Sequence, residues 1–155
     1  MMVLKEGDIA PDFSLPASNG GIVSLKDYAG KKTVIFFYPK DNTPGCIKEV
    51  CSFRDSYKEI QDEGIMLLGV SGDSLKSHSN FISKYNLPFL LLSDADKSMS
   101  SRYCAWGKKE RNGRKYMGMH RITYVVDELG AICKVWSKVK PNDHGKEVLA
   151  AIKFG

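Results

Sequence analysis

Two of the four cysteines, Cys46 and Cys51, lie in a segment whose residue types suit thiol chemistry. Cys46 directly follows a Thr-Pro-Gly turn at residues 43–45, where an amphipathic stretch begins. A cysteine in the first turn of a helix meets free backbone N–H groups and the positive end of the helix dipole. Both favour the thiolate, which is the reactive form of cysteine. The spacing therefore predicts that Cys46 is a nucleophile rather than a small buried hydrophobe.

The loop before Cys46 fits this role. Pro39 and Pro44 are predicted to stiffen the loop and to exclude water. Thr43 places a hydroxyl three residues before the sulfur, where it is able to donate to a thiolate or to accept from a bound O–H group. The residues alone identify an activated thiol and leave its substrate open.

Hydrophobic periodicity indicates which elements hold this loop. Residues 33–38 form a continuous apolar run rich in β-branched and aromatic residues, which is typical of a strand covered on both faces. After the turn, apolar residues recur at spacings of three and four, which predicts one face of a helix. These residues are Val50, Phe53, Tyr57 and Ile60. A thiol between the carboxyl end of a strand and the start of a helix lies where such sheets bind ligands.

The rest of the chain alternates in the same way. We predict a small hairpin over residues 13–25, with one helical turn at 24–28. Further strands are predicted at 65–71, 89–92, 122–126 and 131–136, with helices at 75–85, from 94 or 96 to 103, and from 142 or 143 onward. This order predicts an α/β fold in a single domain over residues 1–155, with a central mixed β-sheet and helices on both faces.

Composition excludes several protein classes. The chain has 155 residues, 43% of them hydrophobic, which is enough for one core. No apolar run approaches the ~20 residues of a membrane span, and the amino-terminal residues lack the pattern of a signal peptide. Four cysteines without such a signal indicate redox use in a reducing compartment. The expected location is the cytoplasm, and the alternative is an imported protein whose presequence has been removed.

Charge and histidine content bear on partners and cofactors. The net charge is +5, and most of the excess lies in residues 108–115 around an Asn-Gly pair. Asn-Gly is a strong type I′ turn signal, so we predict a solvated hairpin. No aromatic residues are interleaved there for base stacking, so no nucleic-acid partner is expected. His78, His120 and His144 stand singly, and two cysteines are too few ligands for a metal site. Neither a metal nor a cofactor is expected.

The pattern Pro-x-x-x-Thr-x-x-Cys at residues 39–46 resembles the active-site signature of the peroxiredoxins. A second cysteine five residues after the first is similar to the bacterioferritin comigratory protein (PrxQ) subfamily. Residues 10–13, 53–55 and 121–127 also look like that family, so the resemblance covers nearly the whole chain. It implies a thioredoxin-like fold and a hydroperoxide substrate.

The resemblance also implies roles for individual residues. Cys46 would attack a peroxide oxygen and become a sulfenic acid, and Cys51 would resolve it as a Cys46–Cys51 disulfide. A thioredoxin-like dithiol would recycle the enzyme, which is expected to be a monomer. Arg121 matches the family's active-site arginine. Glu49 matches an acidic or amide position of the family, and we expect it either to orient Arg121 or simply to complement the helix dipole.

Helix geometry constrains the resolving step. Two residues five apart on a regular helix have Cα atoms about 8–9 Å apart. A disulfide without backbone movement needs less than ~7 Å. Resolution is therefore predicted to require unwinding of the helix start.

Two other functions remain open at this point. One is a thiol–disulfide oxidoreductase of the same fold, although such enzymes usually carry Cys-x-x-Cys. The other is a redox sensor without catalytic turnover. Cys133 is predicted to share a strand face with Ala131 and Val135 and to be a core residue. Cys104 and Cys133 are weaker candidates for a resolving thiol, and Arg54 is either a support for the site or a solvated helix charge.

Overall fold

A computed structural model of the chain describes residues 3–154. The element order confirms the predicted alternation, with the boundaries moved by a few residues at most for the elements predicted from periodicity. The strands are β1 Ser14–Pro16, β2 Ile22–Ser24, β3 Thr33–Phe37, β4 Met66–Ser71, β5 Leu90–Ser93, β6 Trp106–Arg111, β7 Arg114–Met119, β8 Ile122–Val126 and β9 Ile132–Trp136. The helices are α1 Pro44–Asp62, α2 Leu75–Tyr85, α3 Ser98–Arg102 and α4 His144–Phe154, and a single 3-10 turn spans Leu25–Tyr28.

The central sheet has five strands in the order β5-β4-β3-β8-β9. Strand β4 pairs parallel with β3 and with β5, whereas β8 pairs antiparallel with β3 and with β9. The sheet is therefore mixed, as predicted. Strand β3 lies in the middle, so its carboxyl end is flanked by β4 on one side and by the start of β8 on the other.

The apolar run of β3 divides the core into two layers. Ile35 and Phe37 face one layer, which α3 and the β1–β2 hairpin cover with residues such as Met99. Val34 and Phe36 face the other layer, which α1, α2 and α4 cover with Phe53, Phe81 and Val148. All four β3 residues are fully buried. Burial on both faces explains why the run is continuous rather than alternating.

Helix α1 buries the face that its periodicity predicted. Val50, Phe53 and Ile60 are fully buried, and Tyr57 packs at the edge of the same layer. The ring of Phe53 stacks on Phe36 of β3, with centroids 4.5 Å apart. This packing fixes the helix on the sheet and so fixes the direction in which its first turn points.

Strand β9 departs from the prediction for Cys133. Its pairing with β8 steps from Val125–Lys134 to Val126–Ile132, so Cys133 is an extra residue in a β-bulge. The bulge breaks the alternation of side chains. Cys133 is half-buried against the α1 layer, whereas Val135 packs against the opposite layer, so the predicted shared face is wrong.

The basic segment forms the predicted hairpin. Strands β6 and β7 pair antiparallel in a separate two-stranded sheet, and the turn residues Asn112 and Gly113 both have positive φ, as a type I′ turn requires. The second strand ends at Met119, two residues before Arg121. Within residues 3–154, the helices are too short or too polar to cross a membrane.

Candidate active site

Cys46 is the third residue of α1, as the turn signals predicted. Thr43 precedes the helix in an extended conformation, and Pro44 is its first residue, where proline's missing N–H has no cost. Cys46 is 0% exposed and packs with Val50 in the α1 layer. The thiol therefore lies at the positive end of a 19-residue helix and out of contact with bulk water.

Arg121 reaches this thiol from a distant part of the sequence. Strand β8 pairs with β3 so that Ile122 lies opposite Phe37, which brings Arg121 beside the end of β3. Its Nη2 donates to the Cys46 Sγ at 3.5 Å, and its Nη1 donates to Oε1 of Glu49 at 2.6 Å. One guanidinium thus bridges the cysteine and the glutamate.

Glu49 lies one turn after Cys46 and is fully buried. Among residues 3–154, no hydrogen-bond partner is present for its Oε2 atom. Burial raises the pKa of Glu49 to about 7, although Arg121 acts in the opposite direction. Burial would lower the pKa of Arg121, but the charges of Glu49 and Cys46 outweigh it and raise that pKa. The guanidinium therefore stays charged beside the sulfur.

Gly45 is a site residue that the sequence reading treated only as a turn former. A Cβ atom built on Gly45 would lie 3.0 Å from Nη2 of Arg121, close enough that the guanidinium would have to shift by a few tenths of an ångström. Glycine is a weak helix former, so its presence in the first turn of a helix could have indicated from sequence that a side chain is excluded there. Its absent side chain leaves room for the guanidinium next to Cys46.

Thr43 retains one of the two roles that the sequence left open. Its hydroxyl donates to the carbonyl oxygen of Lys40 at 2.8 Å, so its hydrogen is directed away from the sulfur. The oxygen lone pairs remain able to accept a hydrogen bond. Pro39 lies half-buried at the start of the same loop.

Cys51 is half-buried on α1, five residues after Cys46, and the helix is continuous between them. All four cysteines, Cys46, Cys51, Cys104 and Cys133, are free. The reduced protein thus has the packed helix start that the spacing predicted. Arg54 donates to the carbonyl oxygen of Tyr85 at 2.8 Å and pairs with Asp55, so it ties α1 to the end of α2 instead of contacting Cys46 or Glu49.

Two further groups near the site were not found from sequence. Lys109 of β6 is half-buried and donates to the Met119 carbonyl oxygen at 2.8 Å. Burial and the charge of Arg121 lower the pKa of Lys109, whereas the charge of Cys46 acts in the opposite direction. His78, which looked unpaired in sequence, contacts Asp41 of the loop before Thr43. No local pattern signals either contact, because both join separate elements.

One group of side chains has ligand-like spacing within residues 3–154, namely Asp41, Asp73 and His78. Each of the three side chains already has a hydrogen-bond partner within the protein. Internal hydrogen bonds therefore account for this polar group without a metal.

Comparisons with known proteins agree with the geometry. The model of the AhpC/TSA family matches residues 7–135. The putative peroxiredoxin bcp of Coxiella burnetii is 46% identical over 97% of this chain and 100% of its own length. Peroxiredoxin Bcp of Bacillus subtilis is 43% identical over 98% of this chain and 97% of its own.

Solved structures give the same result. Peroxiredoxin Q of Xanthomonas campestris aligns with a TM-score of 0.87 at 38% identity, covering 92% of this chain and 90% of that one. A cysteine-to-serine variant of Xylella fastidiosa PrxQ aligns with a TM-score of 0.93 at 30% identity, covering 99% and 98%. The chain therefore belongs to the AhpC/TSA family and is a peroxiredoxin of the Bcp/PrxQ kind.

Proposed function

We propose that this peroxiredoxin reduces hydrogen peroxide and organic hydroperoxides through Cys46. The observation that carries the proposal is the Arg121 guanidinium, which contacts the Cys46 sulfur at 3.5 Å while a buried Glu49 holds its other end. In addition, a solved relative at 37% identity, the bacterioferritin comigratory protein of X. campestris, is described as having alkyl peroxide reduction activity.

The first chemical step is attack of the Cys46 thiolate on one peroxide oxygen. The S–O bond forms as the O–O bond breaks, and the other oxygen takes up a proton and leaves as water or alcohol. Negative charge moves from the sulfur to the leaving oxygen, so a charged donor beside both stabilises the transition state more than the ground state. The contact of Arg121 with the Cys46 sulfur supports this role for its guanidinium. The Thr43 oxygen is suited to accept the peroxide O–H and so to orient the substrate.

The second step joins Cys46 to Cys51. The Cys51 thiolate attacks the sulfenic sulfur, the S–S bond forms, and the hydroxyl leaves as water after protonation. On the continuous helix the two Cα atoms are about 8–9 Å apart by helix geometry, so the first turns of α1 must unwind. Pro44 and Gly45 contribute little to the stability of those turns, whereas unwinding displaces the fully buried Val50 from the core.

The third step returns the enzyme to the dithiol form. A dithiol reductant of the thioredoxin type would attack the disulfide and leave with its own two sulfurs joined. Such a reductant works in a reducing compartment such as the cytoplasm. The same geometry argues against a general thiol–disulfide oxidoreductase, because the two sulfurs meet only after the helix opens.

The test is mass analysis and peptide mapping after one equivalent of hydrogen peroxide. Wild-type protein should lose two hydrogens as a Cys46–Cys51 disulfide. Cys46→Ser should neither consume peroxide nor lose its fold. Cys51→Ser should consume about one equivalent and stop at the sulfenic acid or its adducts, because the first step needs only Cys46.

Cys104→Ser serves as the matched control and should behave as wild type. Peroxide turnover that persists in Cys46→Ser would move the reaction to another cysteine and contradict the proposal. Thioredoxin-linked turnover that persists in Cys51→Ser would leave Cys46 as nucleophile and assign resolution to a different thiol. A parallel insulin-reduction assay separates peroxidase activity from general disulfide exchange.

A further inference from the structure

A buried histidine outside the group formed by Cys46, Arg121 and Glu49 lies against the active-site loop. His78 of α2 is 0% exposed, and its Nδ1 lies 2.7 Å from Oδ2 of Asp41. Its Nε2 lies 2.9 Å from the carbonyl oxygen of Leu92. Asp41 precedes Thr43 by two residues. One imidazole therefore joins the loop to α2 and β5.

The two contacts define where hydrogens must be. A carbonyl oxygen only accepts, so Nε2 of His78 carries a hydrogen and donates it to Leu92. A bare Nδ1 and a carboxylate oxygen 2.7 Å apart would both be acceptors, so a proton must lie between Nδ1 and the Asp41 carboxyl. Whichever atom holds that proton, the result is a strong buried hydrogen bond.

Three other groups hold Asp41 in the same place. The Tyr38 hydroxyl donates to its Oδ1 at 2.6 Å, and the Ser77 hydroxyl donates to its Oδ2 at 2.8 Å. Its backbone N–H donates to Oδ2 of Asp73 at 2.8 Å. Burial and the charge of Asp41 raise the pKa of Tyr38 well above its ordinary value, so this hydroxyl keeps the hydrogen that it donates. Asp41 is thus fixed from several directions.

This attachment bears directly on Thr43. Between them, Asn42 has a φ of 63°, a left-handed conformation that asparagine adopts more readily than most residues, and residues 41–42 form a turn. The Thr43 hydroxyl is in turn oriented by the Lys40 carbonyl of the same loop. The position of the Thr43 oxygen relative to the Cys46 sulfur therefore depends on this loop. Asp41 attaches the loop to the buried interior through its hydrogen bonds.

We propose that His78 is a positioning residue for peroxide reduction: through Asp41 it holds the loop that presents Thr43 to the substrate beside Cys46. The inference rests on the proposed peroxidase chemistry, and it assigns a role to a residue that touches neither the substrate nor the sulfur. Replacing His78 takes its hydrogen bond away from the buried Asp41 carboxyl, which keeps the hydroxyl donors Tyr38 and Ser77, so the loop should shift.

The test separates a shifted Thr43 from a generally damaged site. His78→Phe keeps a ring of similar size and removes both hydrogen bonds. Its Cys46 should react with hydrogen peroxide about 10- to 100-fold more slowly, the effect of an ångström-scale misplacement. Alkylation of Cys46 by iodoacetamide should be unchanged, because that reaction needs the thiolate but not the Thr43 hydroxyl.

Two controls sharpen the result. Ile132→Ala creates a cavity in the opposite core layer, and it should lower stability while leaving both reactions unchanged. In a Thr43→Val background, His78→Phe should cause no further loss of the peroxide rate, because its effect passes through that hydroxyl. Ser77→Ala removes one hydrogen bond to Asp41 and should slow the peroxide reaction less than His78→Phe does. If His78→Phe does not fold, Ser77→Ala tests the inference in its place.

The outcomes are distinct. An unchanged peroxide rate in a folded His78→Phe protein, or in Ser77→Ala where the first variant does not fold, overturns the inference. So does an equal fall in peroxide and iodoacetamide rates, since the loss would then not act through Thr43. A wild-type Cys46 that fails to react with peroxide contradicts the proposed function instead.

Discussion

Glu49 shows how much of the site depends on a single buried carboxyl. It accepts from Arg121 through one oxygen, and its other oxygen has no partner among residues 3–154. Such a group is costly to bury in its charged form, because the protein interior solvates it poorly. Its hydrogen bond to Nη1 of Arg121 orients the guanidinium, and Nη2 of the same guanidinium contacts the Cys46 sulfur.

Glu49 leads to a prediction about stability and pH. Its pKa rises from an ordinary 4.5 in the unfolded chain to about 7 in the folded protein. A raised pKa means that the folded state binds the proton more tightly, so this contribution is fully present below pH 4.5 and is lost as pH rises through about 7. Relative to Glu49→Gln, wild-type protein should lose about 3 kcal/mol of unfolding free energy across that interval.

Urea unfolding of both proteins at several pH values between 4 and 8.5 measures this difference. Comparing the two proteins cancels the titration of other groups, including the buried His144. A difference in unfolding free energy that stays constant across the interval would show that folding does not shift the pKa of Glu49.

At the scale of elements, the proposed cycle requires α1 to be closed in the reduced form and open at its start in the disulfide form. Upstream, the loop is attached through Asp41 to α2, as described above. Downstream, the N–H of Gly145 at the start of α4 donates to the Ser52 hydroxyl at 2.7 Å, one residue after Cys51. The segment that is proposed to unwind is thus attached to other parts of the fold at both of its ends.

Hydrogen exchange should reveal this boundary. In the reduced protein, amides of residues 45–52 should be protected as part of α1, apart from those of its first turn. In the Cys46–Cys51 disulfide form they should lose protection, because the disulfide cannot form across an intact helix. Amides beyond residue 53 should remain protected in both forms. Equal protection of residues 45–52 in the two forms would refute the unwinding step.

The contact between α4 and α1 gives a second prediction at this scale. A Cβ atom on Gly145 would clash with the Ser52 carbonyl oxygen, so α4 approaches α1 through a glycine. Gly145→Ala should therefore lower the free energy of unfolding by about 1–3 kcal/mol, the usual cost of overpacking, although alanine is the better helix former.

Gly107→Ala is the matched control, since its Cβ would meet its nearest neighbour, Nε2 of His120, at an ordinary 3.6 Å. Its unfolding free energy should change by less than about 0.5 kcal/mol. Thermal or urea unfolding measures both. If Gly145→Ala is as stable as wild type, the close approach of the two helices does not exclude a Cβ atom at this position.

At the scale of the whole molecule, three separated parts of the chain meet at the site because they are attached to the same central sheet. The loop and α1 follow β3, Arg121 precedes β8, and the supporting His78 comes from α2. Because Cys46 and Cys51 lie on the same helix, the proposed catalytic cycle needs no residue from a second subunit.

The molecule is accordingly predicted to work as a monomer. Native mass spectrometry should give the mass of one chain in the reduced form and in the form treated with one equivalent of peroxide. A disulfide-linked dimer after peroxide treatment would contradict this and would indicate resolution between chains.

Features that depend on interactions between sequence neighbours could be predicted directly from the sequence. The place of Cys46 at the start of a helix follows from a Pro-Gly turn, a preceding β-branched run and a following 3.6-residue period, and each of these acts over a few neighbours. The resemblance to peroxiredoxins added the roles of Arg121 and Glu49. The Asn-Gly turn of the basic hairpin was predictable for the same local reason.

Contacts between distant residues required the folded sheet. Arg121 meets Cys46 across 75 positions only because β8 pairs with β3 in a register that sets Ile122 opposite Phe37. The His78–Asp41 pair spans 37 positions, and the bulge at Cys133 reverses a side chain that simple alternation had placed on the other face. Local preferences act on neighbouring dihedral angles, whereas strand register, bulges and buried polar pairs are chosen by how all the elements pack together.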